Sequence, residues 1–186
     1  MGEWFDTGGG PPILLEHRLA RYWSGLERAS ERRSGASHSV QGSEWPDSDY
    51  SRACSVDDYV ELIPLLDGNV IVLGDEPFST QVRREPTGLL VARWSYAPSK
   101  GHMEQVLLDA PSAPEAPGLQ WDISDGSLIL MDSALRLDEG GFYRVPDVEP
   151  GTYRVVHHLY SPDEETQVLL IWIRKGQQLS ARGSRP

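Results

Sequence analysis

The chain has 186 residues, a length that favours one domain, or two small halves around a shared core, over a repeat array or a multidomain enzyme. Hydrophobic residues make up 39% and charged residues 24%, with six Trp and seven Tyr, which excludes global disorder. Seventeen Lys+Arg against 28 Asp+Glu leave a formal charge of -11, a sign that argues against nucleic acid or a membrane surface as partner and for a basic protein.

In chain order, Glu3 to Asp6 reads as a short strand. Gly8-Gly9-Gly10-Pro11-Pro12 reads as a turn that lets Ile13, Leu14 and Leu15 pair back on it. Leu15, Leu19, Tyr22, Trp23 and Leu26 fall at offsets of 0, 4, 7, 8 and 11, which predicts a helix over roughly Glu16 to Leu26. Arg28 to Ser43 is rich in Ser, Arg and Gly and reads as a mobile loop. Asp49 is placed to N-cap a short helix with Tyr50, Ala53 and Cys54 on one face. Val60 to Leu65 and Asn69 to Leu73 then form two strands joined near Asp67-Gly68.

Leu90, Ala92, Trp94 and Tyr96 alternate with Arg93 and Ser95, the pattern of a strand with one buried face. A helix follows with Met103, Val106, Leu107 and Ala110 on one side, and the Pro-containing stretch 110–118 connects it to the second half. Only strands are expected beyond: Leu119 to Ile123, Ser127 to Met131, Phe142 to Val145, Thr152 to Tyr160 and Thr166 to Lys175. Pro150-Gly151 suits a type II turn, and Ser161 to Glu165 suits a longer hairpin loop. Val168 to Ile173 is apolar on both faces and belongs in the middle of a sheet. The basic tail 177–186 lacks periodicity and reads as frayed. The expected fold class is α+β, a predominantly antiparallel sheet framework with two or three helices and a strand-rich C-terminal half, with residues 1–176 as one domain.

The lone cysteine, Cys54, cannot build a disulfide within the chain or a thiolate zinc cluster, and beside Ala53 it reads as a buried, inert thiol. No apolar run approaches the roughly 18 to 20 residues that span a bilayer, and Met1-Gly2-Glu3-Trp4 lacks the basic start of a signal peptide. These features lead to the expectation of a soluble, cytoplasmic protein.

The glycine run lacks the Lys-Ser/Thr of a phosphate-binding loop, and Pro11 and Pro12 break the dinucleotide spacing. His157 and His158 lie on one strand and face opposite ways, which does not suit one metal ion. Trp4, Trp23, Trp94, Trp121 and Trp172 fall in predicted elements and read as core residues.

Charge is concentrated. Residues 44–76 hold Glu44, Asp47, Asp49, Asp57, Asp58, Glu61, Asp67, Asp75 and Glu76 against Arg52 alone. Asp57 and Asp58 suit contacts to Arg or Lys of a partner. Asp75 and Glu76 follow a strand directly, where carboxylates serve as turn residues, partner contacts, or acid-base and metal groups. Trp45 lies in a loop, where an interface role is more natural than a core one.

Thr7-Gly8-Gly9-Gly10-Pro11-Pro12-Ile13-Leu14-Leu15, then Tyr22-Trp23-Ser24-Gly25, Asp49-Tyr50-Ser51-Arg52-Ala53-Cys54 and Val72-Leu73-Gly74-Asp75-Glu76-Pro77 resemble, in this order, the immunity protein 21 family of bacterial polymorphic-toxin systems. Pro150-Gly151-Thr152-Tyr153-Arg154-Val155 falls in the later half of the match. The resemblance implies a cytoplasmic protein encoded beside a toxin, which protects its producer by binding that toxin, and it transfers no catalytic residue. Residues 28–43 and the basic tail depart from the pattern.

The reading is a stoichiometric, non-catalytic inhibitor of a cognate toxin, with no cofactor and no metal. Its expected partner-binding residues are Asp57, Asp58, Asp75 and Glu76, with Trp45 as an aromatic anchor. Rival readings are a small enzyme or metal protein using Asp75, Glu76 or a His, and a β-rich ligand-binding module with exposed aromatics.

Overall fold

A computed structural model describes residues 3–27, 48–74 and 78–176. Residues 28–43, the tail 177–186, Trp45, Asp75 and Glu76 lie outside the described residues.

Ten strands form two antiparallel five-stranded sheets. In the first, the order is β2 (Glu61–Leu65), β3 (Gly68–Val72), β1 (Pro12–Glu16), β7 (Leu128–Asp132) and β8 (Phe142–Arg144). In the second, it is β4 (Thr80–Glu85), β5 (Gly88–Tyr96), β10 (Thr166–Lys175), β9 (Gly151–Asp163) and β6 (Leu119–Ile123). The sheets pack face to face over Leu14, Ile71, Leu89, Val91, Trp121, Leu130, Leu169 and Ile171. Each of these side chains contributes about 1.5–3 kcal/mol when fully buried.

The outer faces are covered too. Helices α1 (His17–Ala20) and α2 (Asp49–Cys54), together with Trp23, pack on Ile13, Leu15, Val70, Val72, Ile129 and Met131 of the first sheet. Helix α3 (Lys100–Leu108) lays Met103, Val106 and Leu107 on Leu90, Ala92, Val168, Leu170 and Trp172 of the second. The layers run helix, sheet, sheet, helix. This explains the strands that are apolar at consecutive positions, because a strand buried on both faces has no polar alternation. Helix α3 is fixed at both ends: Ser99 Oγ accepts from His102 N at 3.2 Å, and Arg83 donates to the Leu107 carbonyl at 2.7 Å.

The α+β class holds, as do β6 and β10 at their expected bounds and the central place of β10. Several expectations are overturned. Phe5 bridges Thr80, not Ile13 to Leu15. The long helix over Glu16 to Leu26 shrinks to His17–Ala20: Glu16 ends the strand paired with β7, and beyond Ala20 the chain turns, with Gly25 at φ 55° and the Leu26 amide donating to the Ala134 carbonyl at 3.2 Å. Leu26 is exposed.

Ser48, not Asp49, caps α2, accepting from Ser51 N at 3.1 Å. The β2–β3 hairpin pairs Leu65 with Gly68, so Leu66 and Asp67 form the loop, and Leu66 takes the positive φ of 55°. Arg93 is fully buried rather than on a solvent face, since β5 also buries Leu89 and Val91. A 3-10 turn at Leu137–Glu139 interrupts the strand-only second half. Gly151 opens β9 with φ 147°, away from the φ near +80° of a type II turn. Strand β9 runs further than expected, to Asp163, which pairs with Thr166, so the hairpin loop is Glu164 and Glu165.

Candidate partner-binding surface

The acidic turn is built outward from α2. Asp49 is buried and accepts from the Ser24 amide at 2.8 Å, the Ser24 hydroxyl at 2.7 Å and Arg52 at 3.1 Å. Arg52 also donates to the Pro64 carbonyl of β2 at 2.7 Å, pinning the helix to the sheet. After the helix, Val56 turns inward against the outer core of the first sheet, and Val60 is buried between the sheets. Asp57 and Asp58 lie between these anchors and are exposed. Two apolar residues therefore hold the ends of a short acidic turn.

The turn is clamped from the far side. Asp58 Oδ1 accepts from the Tyr59 amide at 2.7 Å, which fixes the carboxylate locally. Gly74 N donates to the Tyr59 carbonyl at 3.1 Å, and a Cβ on Gly74 would lie 2.1 Å from the Asp58 carbonyl oxygen. That close approach explains the glycine. Arg93 donates to the Gly74 carbonyl, and its guanidinium stands 5.5 Å from the Phe78 ring centre. Gly74, the residue before Asp75, is thus held through both its amide and its carbonyl.

A third element closes the surface. His157 of β9 places Nε2 3.8 Å from Asp58 Oδ1 and meets the Tyr59 ring edge-on at 5.6 Å. His158 is exposed and faces Tyr160, so the two histidines diverge as their alternation requires. Sequence reasoning missed His157, Gly74 and Arg93 as parts of this surface. An arginine set between the apolar run 89–92 and Trp94 was the available signal for Arg93; for His157 there was none.

Some exposed carboxylates elsewhere have cations. Asp67 receives a hydrogen bond from Arg18 and Glu149 one from Lys175, and each bond holds its carboxyl below the ordinary value. Among the described residues neither Asp57 nor Glu61 has an ion-pair partner, and Asp58 has His157. Asp57 and Glu61 present charge with no cation among the described residues.

A cleft of about 620 Å³ opens elsewhere, lined by Arg21, Tyr22, Glu27, Leu66, Arg136 and Asp138. Its Arg136 is engaged by Glu27 and Asp138, and it contains none of the expected site residues. Cys54 is exposed, not buried; its thiol lies beside the Tyr50 hydroxyl and pushes that phenol's pKa up. Trp121 and Trp172 are buried and form no aromatic platform. Among the described residues no group of three His, Cys, Asp or Glu is placed to hold a metal ion, and no helix is long and apolar enough to cross a membrane.

The sequence profile of the family described as Immunity protein 21 matches residues 3–166. The chain belongs to the immunity protein 21 family. The matched span runs from the Phe5 bridge through the start of β10 and so includes every element around the acidic turn of this immunity protein 21 chain. The basic tail lies outside it. No curated protein and no solved structure matches the chain.

Proposed function

We propose that this chain binds a cognate bacterial toxin stoichiometrically in the cytoplasm and neutralises it without catalysis. The observation that carries the reading is family membership over residues 3–166. The contact residues are Asp57 and Asp58 of the acidic turn together with Asp75 and Glu76, with Trp45 as an aromatic anchor. Exposed carboxylates without cations suit a basic cleft on the partner, and complementary potentials raise association rates by roughly 10 to 1,000-fold.

Co-expression with the toxin encoded by the adjacent reading frame tests it. Survival of the host and a 1:1 complex by size exclusion are expected. Toxicity undiminished by the chain, with no complex at micromolar concentration, would overturn the reading.

A further inference from the structure

The longest strand of the second sheet is covered on one side only over part of its length. Strand β6 pairs with Gly151 to Val155 of β9, while β10 accompanies β9 as far as Asp163. Beyond Val155, among the described residues, no strand pairs with the other side of β9. At about 3.4 Å per residue, His157 to Ser161 offers roughly 17 Å of edge.

The ladder fixes which groups face outward. Gly176 N donates to the Thr152 carbonyl at 2.8 Å, so even-numbered β9 residues up to Tyr160 exchange bonds with β10. Odd-numbered residues turn the other way, as Tyr153 and Val155 do toward Trp121 and Leu119 of β6. The N–H and C=O of His157 and Leu159 therefore point away from β10, and among the described residues they have no hydrogen-bond partner. The end of the edge is blunted by Pro162 and the irregular register near Thr166, a usual defence against stray pairing. At its start the chain entering β6 stays close, since a Cβ on Gly118 would lie 2.4 Å from the Val155 carbonyl oxygen; from His157 to Ser161 the strand has neither a proline nor a paired neighbour on this side among the described residues.

From this open stretch we infer that the toxin is bound by strand addition: an extended segment of it pairs with β9 at His157 and Leu159 and places a Lys or Arg opposite His157. The inference rests on the toxin-binding reading and specifies its mode. A residue paired with His157 has its Cβ about 4.5–5.5 Å away on the same face, and on that face Asp58 lies 3.8 Å from the imidazole. The edge supplies main-chain bonds and Asp58 supplies the charge that selects the side chain. A second copy of this chain fits worse. Antiparallel pairing of two β9 edges around His157 would bring both Asp58 turns to one face of a continuous sheet, carboxylate beside carboxylate.

Residue-resolved amide exchange, with and without the inactivated toxin domain encoded beside this chain, tests the proposal. In the free chain the His157 and Leu159 amides should exchange rapidly while Val156, His158 and Tyr160 are protected; the complex should protect the first two. His157→Pro and, separately, Leu159→Pro remove one outward donor each and leave the β10 ladder bonds intact. Each should weaken the complex by about tenfold or more beyond His157→Ala and Leu159→Ala, which remove the same side chains and keep the donors. A stable complex in which both amides still exchange would overturn strand addition and leave toxin binding standing. Protection of both amides in the free chain, or a dimer abolished by His157→Pro, would overturn it by showing the edge already occupied. Absence of any complex would remove both readings.

Discussion

Gly74→Ala and Gly101→Ala make the same chemical change with opposite expected signs. Gly74 does not have a positive φ, so its backbone accepts a side chain and the cost comes from contact alone. The new Cβ would lie 2.1 Å from the Asp58 carbonyl oxygen and 2.9 Å from Val56 Cγ1. The first falls about 1.2 Å short of the roughly 3.3 Å at which carbon and oxygen meet. The obstacle is main chain, so the turn itself must move. Overpacking of this kind costs about 1–3 kcal/mol, offset by about 0.4–1 kcal/mol from the stiffer unfolded chain. The net expectation is a loss of about 1–2 kcal/mol, read as a lower urea midpoint with an unchanged slope. Gly101 lies on α3 with nothing within 4 Å of its Cβ position, so Ala there should add about 0.5–1 kcal/mol. Because the displaced backbone carries Asp58, Gly74→Ala should also slow association with the toxin. Equal midpoints for the two variants would refute the contact argument.

Glu16 is buried and accepts from the Ser124 hydroxyl at 2.6 Å, the Asp125 amide at 2.8 Å and Arg18 at 3.0 Å. Burial alone would raise its pKa, but these bonds together hold it below the ordinary glutamate value. Its contribution is therefore present at neutral pH and lost as pH falls below about 4.3 and through the lower folded value. Glu16→Ala should cost about 3 kcal/mol at pH 7, with the gap to wild type narrowing in acid denaturation curves; a gap independent of pH would refute this. Asp57→Lys with Asp58→Lys should reduce the association rate by about tenfold or more at low salt without moving the melting temperature, and an unchanged rate would remove the turn from the interface. Ile171→Ala, in the core shared by both sheets, should cost about 2–5 kcal/mol and lower one cooperative transition; two separate transitions would show the sheets unfolding independently.

What was legible in the sequence was local. The spacing of Met103, Val106 and Leu107 found α3, and the apolar run 168–173 placed β10 in the middle of its sheet. Ile13, Leu14 and Leu15 were legible as a pairing segment, but their partners were not, because β3 and β7 are far away in sequence. Asp57 and Asp58 were recognisable as exposed acids, since a solvated carboxylate pair needs no tertiary partner. The meeting of Asp58 with Gly74 and His157 was not, because it depends on how the sheets stack.

Helices on both outer faces leave the perimeter of the layered sheets, its turns and strand margins, as the ground for recognition. Perimeter substitutions away from special contacts usually shift stability by less than about 0.5 kcal/mol. On the proposed toxin-binding reading, residues such as Asp57 can therefore be exchanged one at a time to follow a changing adversary, while the interior that holds them in place goes on folding as before.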